Sequence, residues 1–381
     1  MPRARDLGIR LGHGRPGPFN AITDVAGVRV GHTTVISGDG PLVVGQGPIR
    51  TGVTAIVPHD GDVWREPVFG GTFTLNGNGE LTGLEWMRES GFLGGVIGLT
   101  NTHSVGVVHD ALIAAAVKDS APGEEFWALP VVGETWDGQL NDINGFHVRP
   151  EHLRQALEAA AGGPVAEGNV GGGTGMICHE FKGGIGTASR VLASEAGGWT
   201  VGALVQANYG DRDQLRIDGV PVGEEIGADV LPSPWETTRS PLGAGSSRAG
   251  PQGGSIIGIV ATDAPLLPHQ CARLAQRVGM GVARMGSYAS HGSGDLFLAF
   301  ATGNRGLSYH AGEDDPRPTV DLRMVVDEHI NALFESVAEA TEEAIVNALL
   351  AAETMTGRDG ITAHALDAER LLTVMREHGR A

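Results

Sequence analysis

Few residues of this chain combine a reactive type with a spacing that would make them reactive together. His179-Glu180 opens like the helical H-E-x-x-H pair that binds zinc, but it continues as Phe-Lys, so the second histidine one turn on is missing. The run Gly168-Asn-Val-Gly-Gly-Gly-Thr-Gly175 looks like a loop for a dinucleotide pyrophosphate, yet it lacks the G-x-G-x-x-G order behind a clear strand. It reads as a tight turn that lets layers approach. A G-x-S-x-G nucleophile elbow and a G-x-x-x-x-G-K-[ST] phosphate loop are absent. The sets His103/His109 and His59/Asp60/Asp62 have no ligand spacing and read as surface or hydrogen-bonded histidines. Cys178 and Cys271 are too few for a disulfide framework and too far apart for a zinc pattern, so both read as core thiols. Ordinary serine hydrolases, P-loop enzymes and zincins lose weight, and no metal or cofactor is expected.

The elements that would position a site alternate irregularly between strand and helix. Short β-branched runs bounded by Gly or Pro predict strands over 28–36, 52–57, 94–99 and 200–206. Helices are predicted over 84–89, 105–118 and 151–161, the last with Leu153, Ala156, Leu157 and Ala160 on one face. Residues 231–254 are full of turn formers without a hydrophobic period, which predicts a long exposed loop. Beyond it, 255–262 and 294–302 read as buried strands around a helix over 265–280. Helices follow over 321–353 and 365–377; the first carries Leu333, Val337, Ala340, Ala344, Ile345, Ala348 and Leu349 at helical spacing. Composition alone would make 231–254 an interdomain linker. The apolar run from Ser255, however, needs sheet neighbours on both edges, and the residues after it offer few strands. The two halves are therefore expected to share one sheet system.

Composition narrows the partners. The 381 residues carry a net charge of −18, which repels a nucleic-acid backbone or an anionic membrane surface. Glycine accounts for 60 residues without a Gly-X-Y period, against a usual share of ~7%, so the glycines must serve turns, tight layer packing or approach to a ligand. The basic first ten residues lead into Gly and Pro rather than an apolar signal region. The apolar runs at 94–100 and 255–262 fall short of the ~20 residues of a membrane span. A cytoplasmic protein is expected.

The segment Ser255-Ile-Ile-Gly-Ile-Val-Ala-Thr-Asp-Ala-Pro-Leu-Leu-Pro-His-Gln270, entered from the Gly-rich loop, resembles the start of the small subunit of the self-processing N-terminal-serine aminopeptidases, the L-aminopeptidase/D-esterases and β-aminopeptidases. Further motifs fall in the family's order: Asn76-Gly-Asn-Gly-Glu80, Gly133-Glu-Thr-Trp-Asp-Gly138, Leu140-Asn-Asp-Ile-Asn-Gly145, Gly168 to Gly175, Val205-Gln-Ala-Asn-Tyr-Gly210, and Gly292-Ser-Gly-Asp-Leu-Phe-Leu-Ala-Phe300. The resemblance covers nearly the whole chain. It implies an α/β fold, a four-layer αββα sandwich of the self-cleaving N-terminal-nucleophile type. It also implies one domain cut between Gly254 and Ser255 into chains 1–254 and 255–381, with homo-oligomers, often tetramers of the cleaved pair.

By the same resemblance Ser255 is the nucleophile. Its Oγ would attack the Gly254 carbonyl in an N→O acyl shift, eased by a residue without Cβ, and hydrolysis of the ester would free the amine. An α-amine has a reference pKa of about 7.7–8.0, against ~10.4 for lysine, so near neutral pH it can take the hydroxyl proton. One residue thus supplies nucleophile and base. Ser293 would relay protons to the amine, and Asp295 would orient Ser293 and stabilise the ammonium. Some relatives carry Glu at this position, one methylene longer. Asn208 would donate to the oxyanion, Glu134 would pair the substrate's ammonium, and Trp136 would wall the pocket. Asn76 and Asn141 receive no role.

The expected activity is release of N-terminal amino acids from short peptides, amino-acid amides and esters, including β-amino acids or D-residue esters, through an acyl-enzyme on Ser255. Two rivals stand beside it: an acyltransferase of related self-cleaving fold, usually built on Thr, and a non-catalytic Gly-rich ligand-binding or scaffold protein.

Overall fold

In a computed structural model of the protein, residues 2–118, 120–121, 123–235, 254–308 and 318–381 are described. Two sheets stack face to face. The smaller has the order β1 (Arg29–Ser37), β2 (Ile49–Val57), β5 (Ile97–Asn101), β6 (Val131–Thr135). The larger has the order β4 (Phe92–Leu93), β3 (Val68–Gly77), β12 (Gly294–Ala301), β11 (Ser255–Thr262), β10 (Thr200–Asn208), β9 (Gly184–Val191). A small ribbon of β7 (Ile177–Cys178) and β8 (Phe181–Lys182) lies beside them.

Among the described residues only β5/β6 and β11/β12 pair in parallel, and each parallel pair needs a crossover. The crossovers are α2 (Val105–Lys118) and α5 (Pro268–Arg284). With α3 (Pro150–Glu158), α2 covers the outer face of the small sheet, while α5 and α6 (Asn331–Ala351) cover the outer face of the large one. The result is the expected αββα sandwich. Short helices α1 (Leu84–Ser90) and α4 (Val222–Glu225) fill edges, and α7 (Ala368–Glu377) starts where the Asp367 side chain accepts from the Arg370 N–H. Among the described residues no helix is long and apolar enough to cross a membrane.

Three apolar layers hold these four together. Ile256, Val260, Val201 and Val205 meet Leu274, Val278, Val337 and Ile345 beneath α5 and α6. Ile257, Ile259, Leu204 and Leu298 meet Ile56, Ile97 and Leu99 between the sheets. Val53 and Ala55 meet Val108, Leu112 and Leu153 under α2 and α3. The central strands β10, β11 and β12 are therefore buried along their whole length, which is why β11 reads as a continuous apolar run. Gly186 shows what the glycine excess does: a Cβ there would overlap the Ala344 carbonyl of α6. Cys178 and Cys271 are free and buried.

Several boundaries move. The helix expected to 161 ends at Glu158, because Ala161 exchanges both backbone hydrogen bonds with Val30 on the edge of β1. α5 starts at Pro268, a favoured first-turn position for proline. α6 starts at Asn331 rather than 321, since Val325 is tied by its backbone to Pro265 and to the Gln270 side chain. Strands β3, β6 and β9 were not expected. Of the loop expected over 231–254, residues 236–253 lie outside the described residues, and Ser233 and Pro234 are buried rather than exposed. The expectation of a shared sheet holds, for β11 from the second half lies between β10 and β12.

Candidate active site

The ends of three strands meet at Ser255. Asn208, the last residue of β10, stands opposite Ser255 in antiparallel register, and Gly294, the first residue of β12, stands opposite it in parallel register. The Gly294 N–H donates to the Gly254 carbonyl at 3.1 Å, which fixes the peptide group preceding Ser255. A Cβ on Gly254 would overlap the Asn208 carbonyl and the Tyr209 Cα, so the close approach of β10 requires glycine there. Ser255 shares its strand face with Ile257 and Ile259, which line the space between the sheets. It is 4% exposed.

Asn208 projects into the same space. Its Oδ1 accepts from the Ile177 N–H at 2.8 Å, and its Nδ2 donates to the Trp136 carbonyl at 2.9 Å. A backbone N–H can only donate, so the amide orientation is determined, and Nδ2 keeps a second hydrogen. Trp136 therefore meets this site through its carbonyl, while its indole lies over Gly138.

Beyond β11, Ser293 Oγ donates to Asp295 Oδ1 at 2.7 Å. Asp295 is buried, and its Oδ2 has no hydrogen-bond partner among the described residues. Burial pushes its carboxyl up to about 6, although the Ser293 hydroxyl and the Ile256 N–H oppose the rise. The 290–293 loop that carries Ser293 is tied to the end of β3. Asn76 Nδ2 donates to the Ser290 carbonyl at 2.6 Å, Asn78 Nδ2 to the Gly292 carbonyl at 2.7 Å, and the Asn78 N–H to the Ser293 carbonyl at 3.2 Å. Asn76, without a role at the level of sequence, thus anchors this loop.

Glu134 comes from the opposite sheet. It lies on strand β6 and is 2% exposed, with Oε1 accepting from the Glu80 N–H at 2.9 Å and Oε2 from the Thr102 hydroxyl. Burial raises its carboxyl above the ordinary value. A Cβ on Gly79 would stand 3.0 Å from Glu134 Oε1 and 3.3 Å from the Gly294 Cα. Only a glycine separates this carboxylate from the residue paired with Ser255.

Two ionisable residues were missed. Asp137 is fully buried and pushed up to about 7, bound by Asn141 Nδ2 at 3.0 Å with Thr51 and Asn101 beside it. Asn141, whose Oδ1 accepts from the Arg50 N–H, serves to hold Asp137. Lys182 is fully buried and pushed down to about 7, the desolvation of the ammonium outweighing Cys178 and Asp137. Its neighbours His179, Glu180 and Gly183 give no local signal of this burial.

The remaining candidates are structural. Gly171 to Gly173 form a buried turn against β2, with the Gly172 N–H on Thr54 Oγ1 at 3.1 Å. His59 Nε2 meets the Glu66 carbonyl at 2.8 Å, and His103 stacks on Phe146.

Comparison with known proteins agrees with this geometry. The chain matches peptidase family S58 over residues 20–363. It is 49% identical to the β-peptidyl aminopeptidase BapA of Sphingosinicella microcystinivorans, over all of this chain and 93% of that one. Among solved structures it is similar to a Burkholderia sp. β-aminopeptidase, with 55% identity, TM-score 0.89 and 99% of each chain covered. It is also similar to the L-aminopeptidase D-Ala-esterase/amidase of Ochrobactrum anthropi, described as a prototype for the serine aminopeptidases and a variant of the Ntn hydrolase fold. That likeness has 44% identity and TM-score 0.87, covering all of this chain and 99% of that one.

Proposed function

Because the chain belongs to peptidase family S58 and is an aminopeptidase of the N-terminal-nucleophile hydrolase fold, we propose that it makes its own reagent by breaking the Gly254–Ser255 bond. Ser255 Oγ adds to the Gly254 carbonyl carbon, the C–N bond breaks, and the acyl group passes from nitrogen to oxygen. Water then hydrolyses the ester, leaving the Gly254 carboxylate on chain 1–254 and a free α-amine with an intact hydroxyl on chain 255–381.

In the mature enzyme the α-amine of Ser255 takes the Oγ proton as Oγ attacks the substrate carbonyl. The free hydrogen of Asn208 Nδ2 receives the oxyanion. Asp295 Oδ2 stabilises the ammonium, and Ser293 carries the proton toward the leaving amine. Loss of that amine leaves an ester on Ser255, which water cleaves by the same steps. Glu134 pairs the substrate's own ammonium, which restricts attack to the amide next to a free amino group. The observation that carries this reading is the meeting of Ser255, Asn208 and the Ser293–Asp295 pair at three strand ends, with Gly79 lying between Glu134 and Gly294.

Substrates follow as short peptides, amino-acid amides and esters, with β-amino acids in keeping with the names of the relatives. The reading includes a cytoplasmic homo-oligomer of cleaved pairs, its assembly size measurable by native mass. Ser255→Ala tests the mechanism. The variant should remain one uncleaved chain without aminopeptidase turnover, and retained turnover would refute the nucleophile.

A further inference from the structure

Lys182, fully buried in the β7/β8 ribbon, carries an amine that the mechanism above does not use. Its Nζ donates to the Met176 carbonyl at 2.8 Å, the Gly183 carbonyl at 2.8 Å and the Gly173 carbonyl at 3.3 Å. Three hydrogens meet three acceptors, so the group is fully satisfied. A methionine would fill similar space without the cost of burying a charge. What the ammonium alone supplies is its pull on those carbonyls.

One of the three matters for the site. The Met176 carbonyl and the Ile177 N–H belong to the same peptide group, and that N–H donates to Asn208 Oδ1 at 2.8 Å. A continuous chain results: Lys182 Nζ–H to the Met176 oxygen, across the peptide to the Ile177 N–H, then to Asn208 Oδ1 and through the amide to Nδ2. Each bond polarises the next in one direction, toward a more positive Nδ2–H. The peptide is also held in place, so Asn208 cannot turn its oxygen toward a developing negative charge.

We propose that Lys182 is the positioning residue of the oxyanion site, orienting and polarising Asn208 through the Met176–Ile177 peptide. The inference rests on the reading of Asn208 as oxyanion donor. It differs from a packing role in one respect: the transition state feels the loss of Lys182, and the ground state does not.

The test uses the full-length protein after maturation. In Lys182→Met, kcat should fall about 10- to 100-fold, with KM and inhibition by the amino-acid product within about twofold of wild type. Inhibition by an amino-acid aldehyde, whose adduct on Ser255 Oγ carries the oxyanion, should weaken in parallel with kcat. Lys182→Gln removes the charge but keeps a donor, and it takes the same readouts if Lys182→Met is uncleaved or unfolded. An unchanged kcat, or product and aldehyde weakening together, would overturn the proposal. Asn208→Ala separates the two levels. If it is slow while Lys182→Met is normal, only the Lys182 proposal fails; if it is itself fast, the oxyanion reading fails first.

Discussion

Ser293 Oγ donates to Asp295 Oδ1 at 2.7 Å, and the other carboxylate oxygen is buried with no hydrogen-bond partner among the described residues. One oxygen is committed to the hydroxyl, and in the proposed mechanism the other takes the cation. Asp295 follows Gly294, the partner of Ser255, so an ammonium released at Ser255 would arise on the neighbouring strand. In the continuous chain that carboxyl sits at about 6, above the ordinary 3.8.

A folded-state value raised by burial gives a definite sign. Asp295 contributes stability below about pH 4, and that contribution is lost as pH rises through about 6, because ionising the buried group is opposed by the folded state. The loss is at most about 3 kcal/mol. The uncleaved Ser255→Ala chain should therefore lose more stability between pH 4 and pH 7 than the double variant Ser255→Ala/Asp295→Asn, read by denaturant unfolding at each pH. Parallel profiles would mean that Asp295 already has a partner.

In mature enzyme the same carboxylate should raise the pKa of the Ser255 amine. Asp295→Asn should move the acid limb of the kcat profile down by about one pH unit while lowering its plateau. A fall in the plateau with the limb unmoved would assign Asp295 a purely orienting role through Ser293.

Asn208 has its oxygen committed to Ile177 and one hydrogen to Trp136. Asn208→Ala should lower kcat by about 10²- to 10³-fold and leave KM within a few fold, the pattern of a lost transition-state donor. Steady-state kinetics on an amino-acid amide read both constants. A large rise in KM at unchanged kcat would move Asn208 from catalysis to binding.

Glu134 is buried beside Gly79 with its two oxygens on the Glu80 N–H and the Thr102 hydroxyl. Glu134→Gln keeps the shape and removes the charge. It should cost about 10- to 100-fold in kcat/KM on substrates with a free amino group and narrow the preference over N-acetylated analogues. Equal losses on both substrate types would show that the charge does not read the ammonium.

What sequence could and could not reveal divides along physical lines. β11 was readable because Ser255 to Thr262 is apolar on both faces, and α2 because its length and spacing leave no strand alternative. β3 was hidden by Gly70-Gly71, where Gly71 makes room for the backbone of α5 at Ala272. β9 was hidden by Arg190, a charge that suggests solvent. It is 0% exposed, its Nε on Glu339 at 2.9 Å and its Nη2 on Glu343 at 2.8 Å, both from α6. Local pattern cannot show a partner about 150 residues away. The same holds at the site. Ser255, Ser293, Asp295, Asn208 and Glu134 came from motifs in register, whereas Lys182 and Asp137 acquire meaning only when the turn at 171–178 folds against β10.

The most direct measurement is the intact mass and N-terminal sequence of purified, active protein. The account predicts two polypeptides, residues 1–254 and 255–381 apart from any loss of Met1, with the second beginning Ser-Ile-Ile-Gly. Full activity from a single chain with the Gly254–Ser255 bond unbroken would contradict it.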